Sequence, residues 1–132
     1  MDEYEKQINI EALTMLDIAK KDILPAASKF SKELTDTIAN KKAIGIDLTY
    51  ELETAKKISE YLTEAYQAMM TLENDVKKLH EIDDFEKSAF YVRDFIIQDM
   101  AALRKPCDEL EVITSNRDWP FPTYGKLLFG IQ

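Results

Sequence analysis

Eight apolar residues, Ala55, Ile58, Leu62, Ala65, Met69, Leu72, Val76 and Leu79, follow one another in alternating steps of three and four. A strand turns its side chains over at every residue, whereas a helix brings positions so spaced back to one face. A seam with this heptad period stays in contact with its partners only if they wrap it left-handedly at shallow crossing angles. The chain must therefore supply other helices long enough to cover it.

Two further stretches meet that demand. Ile8, Ala12, Met15, Leu16, Ala19, Ile23, Ala27, Phe30, Leu34 and Ile38 lie on one face of a helix expected over about residues 3–43. Pro25 lacks an amide donor and crowds the carbonyl of Lys21, so a kink or a division into two helices is expected there. Lys41 and Lys42 suit the negative end of the helix dipole, and Gly45 suits a left-handed cap. The seam helix is expected over 48–80, with Asp47 or Thr49 as its cap and Glu51 and Glu53 in its first turn.

A third helix, over 84–115, carries Phe85, Ala89, Val92, Ile96, Met100, Leu103, Cys107, Leu110 and Ile113. Asp83 and Glu86 form a variant capping box at its start, and Pro106 predicts a second kink. Connections of a few residues force neighbouring helices to run antiparallel. The predicted fold is all-α: an antiparallel bundle of three long amphipathic helices, or four if Pro25 splits the first, followed by an extended aromatic tail over 117–132.

Bulk properties narrow the function. The 132 residues suit one domain with a single core. The net charge of −8 is spread along the chain without a basic block, which argues against nucleic acid and against adsorption to anionic membranes. No apolar run approaches the ~20 residues of a membrane helix, and Met1-Asp2-Glu3-Tyr4-Glu5 is acidic where a signal peptide is basic. A cytoplasmic location is expected, in keeping with a single cysteine, Cys107. With only Gly45, Gly125 and Gly130, there is no glycine-rich nucleotide loop.

The candidate chemical groups are isolated. His80 is the only histidine; Lys77 stands where a Glu-x-x-His metal motif needs a glutamate, so His80 reads as a cap or surface pairing. Cys107 falls on the apolar stripe and reads as a small core residue rather than a nucleophile. Met15, Met69, Met70 and Met100 read as core fillers. No catalytic, cofactor-binding or metal-binding residue is assigned.

The end of the chain stands apart. In Trp119-Pro120-Phe121-Pro122-Thr123-Tyr124-Gly125-Lys126-Leu127-Leu128-Phe129 the prolines force extended backbone on the residues before them, so the helix cannot continue. Trp119, Phe121, Tyr124, Leu127, Leu128 and Phe129 either close one end of the core or dock on another domain or subunit.

Together with Tyr4-Glu5-Lys6-Gln7-Ile8-Asn9-Ile10-Glu11-Ala12 and Asp22-Ile23-Leu24-Pro25-Ala26, this tail resembles the C-terminal region of type III glutamine synthetases. The resemblance extends from about Tyr4 to Phe129 and implies a noncatalytic helical domain of a larger enzyme, with a structural, assembly or regulatory role. The implied parent reaction is ATP-dependent ligation of ammonia to glutamate at a divalent-metal site, Mg or Mn. The implied partners are the catalytic core of the parent and neighbouring subunits of a homo-oligomeric ring. The competing reading is a free-standing helical protein-protein interaction module.

Overall fold

The computed structural model describes residues 1–122. Helix α1 spans Glu3–Ile18 and continues through a π turn, Ala19–Ile23, into α2, Leu24–Ile44. Helix α3 runs from Thr49 to His80; α4 (Phe85–Tyr91), a second π turn (Val92–Ile96) and α5 (Ile97–Ile113) make a third rod. Among the described residues there is no strand, and the fold is all-α as expected.

The ends of the rods are set by local chemistry. Asp2 accepts from the amide of Glu5 at 2.8 Å and so satisfies one of the free donors of α1. Gly45 adopts φ +73°, with its own N–H on the carbonyl of Lys42 and that of Ile46 on the carbonyl of Lys41. This double closure satisfies two otherwise free carbonyls at the end of α2. Asp47 accepts from both the amide and the hydroxyl of Thr49, which hold its carboxyl below the usual range. The cap of α4 is Asp84, accepting from the amide of Glu86, one residue later than the expected Asp83.

Helix α3 is the central element, packed against α2 and α5. Along it Ile58, Ala65, Leu72 and Leu79 recur every seven residues, none more than 1% exposed. The two flanking rods each depart from that interval once. Their buried series are Ala12, Ala19, Ala27, Leu34 and Ser88, Ile96, Leu103, Leu110, and in both the step of eight crosses the π turn. There the amides of Leu24 and Ile97 reach back five residues, to Ala19 and Val92, so that each wide turn absorbs one extra residue and returns the seam to α3.

The π turns lie near two of the positions singled out in the sequence, Pro25 and Phe85. Pro25 neither divides the first rod nor ends it; it sits in the first turn of α2, just past the point where the hydrogen-bond register changes, and there its missing donor removes little. Pro106 is buried inside α5, which continues through it, and the register change of the third rod falls well upstream at Val92–Ile96. Phe85 is exposed, and Ser88 takes the buried position because the added residue rotates the face of α4.

Ion pairs and one hydrogen bond join the first rod to α3 in an ordered series. Lys41 meets Glu51, Lys20 meets Glu73, and Asn9 meets His80, so residue numbers fall along one rod as they rise along the other. The lysines hold the carboxyls of Glu51 and Glu73 below the usual range, chiefly through direct hydrogen bonds.

The turn at Gly45 gives a test of backbone conformation alone. A Cβ built there would meet nothing within 4 Å. Gly45→Ala should therefore destabilise the protein by about 1 kcal/mol through left-handed strain. Gly45→Asn should cost less; equal midpoints in urea for all three proteins would refute this account.

Candidate functional site

Helix α5 ends where Thr114 turns to extended backbone. The carbonyl of Ser115 then accepts from the amides of Asp118 and Trp119, at 3.0 and 2.9 Å, and its hydroxyl oxygen accepts from the amide of Arg117. This turn folds the chain onto α2. The Arg117 guanidinium donates to Glu33 at 3.1 Å, and the ammonium of Lys29 lies 3.4 Å from the buried carboxylate of Asp118.

The strap so anchored carries Trp119 into the core, where it is 7% exposed, with Phe121 partly buried beside it. Their rings meet edge to face at a centroid distance of 6.3 Å. These two of the six tail residues thus pack on the chain's own core; Tyr124, Leu127, Leu128 and Phe129 lie outside the described residues.

One buried and one half-buried polar contact sit around α4 and the second π turn, and neither was visible as a motif. The Glu5 side chain, 2% exposed, accepts from the Ser88 hydroxyl at 3.0 Å and ties the start of α1 to α4. The Tyr91 hydroxyl donates to Asp75 Oδ1 on α3, also at 3.0 Å. Burial, and then Asp75, push the Tyr91 hydroxyl up to about 12. Asp99 on α5 is pushed up to about 7 by burial first and by Asp75 second. The one sequence signal was position: Asp75 and Asp99 each immediately precede a seam residue, Val76 and Met100.

A groove of about 550 Å³ opens between α1 and α5, with Ile10, Met15, Ile18, Met100, Leu103 and Cys107 among its lining. Burial, and then Asp108, push the Cys107 thiol up to about 11, so thiolate at neutral pH is scarce and the core reading of this residue stands. His80 Nε2 lies 2.8 Å from Asn9 Oδ1, a surface pairing between α3 and α1. Among the described residues no three His, Cys, Asp or Glu side chains converge as a metal site would. No described helix is long and apolar enough to cross a membrane.

Comparison with known proteins supplies the relationship. A family described as Glutamine synthetase C-terminal domain matches residues 1–42, which cover α1, the first π turn and nearly all of α2. A glutamine synthetase of Butyrivibrio fibrisolvens is 31% identical over 134 aligned positions that take in all of this chain and 19% of that protein. The chain belongs with the glutamine synthetase C-terminal domains. A glutamine synthetase of Bacteroides fragilis (strain YCH46) is 24% identical over 98% of the chain and 18% of that protein. The type-3 glutamine synthetase of Dictyostelium discoideum is 26% identical over 96% of the chain and 18% of its own length. The chain thus spans about a fifth of the length of these curated relatives.

Within this glutamine synthetase C-terminal domain, the strap separates a core role for Trp119 from a docking role. Trp119→Ala should destabilise the isolated chain by about 3 kcal/mol, since it empties a buried site of its largest side chain. Loss of less than ~0.5 kcal/mol, the range of an ordinary surface substitution, would show that Trp119 does not support the core.

Proposed function

We propose that the chain is a noncatalytic C-terminal helical domain of a type III glutamine synthetase, with a structural or assembly role in the parent enzyme. The parent reaction is then ATP-dependent ligation of ammonia to glutamate, carried out by a catalytic core that lies outside this chain, in the cytoplasm. The observation that carries this reading is the end-to-end similarity of the chain to about a fifth of a much longer glutamine synthetase. The inventory of side chains supports it: a thiol held protonated, a histidine paired with an asparagine, and no convergent metal donors among the described residues.

A packing role also suits the tip of the first hairpin. Ile44, Ile46 and Tyr50 are exposed around the turn between α2 and α3, and covering them by the catalytic core or a neighbouring subunit would remove apolar area from water.

The reading is tested in the full-length enzyme by deleting Met1 to Gln132 and measuring mass by analytical ultracentrifugation, thermal stability, and turnover per assembled active site. A smaller or less stable assembly with little change in turnover per assembled site is expected. Assembly, stability and kinetics all unchanged would overturn the proposal.

A further inference from the structure

We propose that Thr123 to Gln132, beyond the described residues, lie along the groove between the first rod and α5 and close it, with Tyr124, Leu127, Leu128 and Phe129 filling it. The groove exists because the first rod and α5 each pack against α3 but touch one another sparingly. Its walls are apolar, with Ile10, Met15 and Ile18 on one side and Met100, Leu103 and Cys107 on the other, around about 550 Å³. Ile10 is 57% exposed and Met15 and Ile18 are half-buried, so this face leaves apolar area in water.

The path of the strap points into this groove. Arg117 meets Glu33 and Asp118 meets Lys29, so each successive residue sits one helical turn nearer α1 along the first rod. Trp119 and Phe121 follow, both packed on the core. The groove opens at Ile23, about 9 Å further in the same direction at ~1.5 Å per helical residue, and runs to Ile10, about 20 Å beyond. Ten residues reach up to about 33 Å when extended, so Thr123 to Gln132 are long enough to cover it.

The side chains match. Tyr124, Leu127, Leu128, Phe129 and Ile131 give half of these ten residues large apolar side chains, which burial in the groove removes from water. Lys126 carries the segment's only side-chain charge, and the rim of the groove sets Glu11 and Asp108 against the one Arg104, so the charges are complementary. The indole N–H of Trp119 is buried with no acceptor among the described residues, and a segment passing over it brings backbone carbonyls. Tethering favours this occupant over a separate partner: a segment anchored at the mouth of the groove meets it at an effective concentration of about millimolar.

The test is NMR of the full chain with isotope-labelled methionine methyls. Met15 and Met100 line the groove, so their methyls should show nuclear Overhauser contacts to the ring protons of Tyr124 or Phe129. Removing Thr123 to Gln132 should shift both methyl resonances and speed alkylation of Cys107 by N-ethylmaleimide several-fold, because the thiol lines the same groove. Leu127→Ser combined with Leu128→Ser should act in the same direction with chain length kept. Absence of contact from both methyls to any residue beyond Pro122 would overturn the placement, as would an unchanged alkylation rate in the folded shortened chain. Contacts seen only between differently labelled molecules would overturn it too, since they mark a second copy as the occupant. The contacts are read in the unaltered chain, so they decide the matter even if a variant fails to fold.

Discussion

Helix α3 imposes a constraint that both neighbouring rods must meet. It runs 32 residues, its sequence contains neither glycine nor proline, and its buried residues repeat every seven positions from Ile58 to Leu79. A seam so regular can be covered along its whole length only by helices that keep the same repeat, because a straight helix of ~3.6 residues per turn drifts off a heptad seam. Each neighbouring rod carries one residue too many for that repeat. Each takes up the excess in a π turn, between Ala19 and Ala27 in one and between Ser88 and Ile96 in the other. The wide turn sacrifices local hydrogen-bond regularity, and in exchange the rods keep their apolar faces on α3 over both halves.

The second register shift also decides where polar groups are buried. Had the third rod kept one register, Phe85 would have faced inward with Ala89 and Val92. The shift exposes Phe85 and buries Ser88, whose hydroxyl lies 3.0 Å both from the Phe85 carbonyl in its own helix and from the Glu5 carboxylate on α1. Just before the same turn, Tyr91 reaches across to Asp75 on α3. Two polar contacts of this bundle thus lie around the place where the third rod departs from the heptad, and each ties two rods. Such contacts add little net stability when complete and cost more when broken, so they specify which rods meet.

Much of this was legible in the residues, and the part that was not has a definite cause. The α3 seam was readable position by position because regular alternation of threes and fours admits one face only. In the flanking rods the same kind of spacing admits two. The run Ala19, Ile23, Ala27 takes two steps of four in succession, but so does Phe30, Leu34, Ile38 inside α2, so the repetition does not locate the inserted residue. The prolines drew attention instead, since each must interrupt a hydrogen bond. Yet Pro25 sits where the register was already changing, and Pro106 lies inside a helix that continues past it. The hydrogen bond of Tyr91 to Asp75 depends on two elements meeting, and charged residues beside a seam look in sequence like an ordinary solvated flank. The strap was half legible: its prolines located the end of the helix, whereas the side chains of Arg117 and Asp118, which fasten it to α2, carried no recognisable pattern.

The first rod and α3 constrain their residues in different ways. The heptad seam of α3 is the strongest pattern in the chain, yet the match to the glutamine synthetase C-terminal domain covers residues 1–42. A seam of Ile, Leu, Met and Val tolerates exchange among those residues at low cost, so long as volume is kept, and the pattern is shared by helical bundles of every kind. The first rod presents Ala12, Ala19 and Ala27 at its most buried positions, each no more than 1% exposed. Larger side chains there would push the rod off α3, and a glycine would weaken the helix, so the choice of residue is narrow. Capping by Asp2, the buried Glu5 and the proline beside the π turn add further positions with few substitutes. The first rod is thus held by positions with few substitutes, whereas the long seam of α3 accepts apolar residues of similar volume.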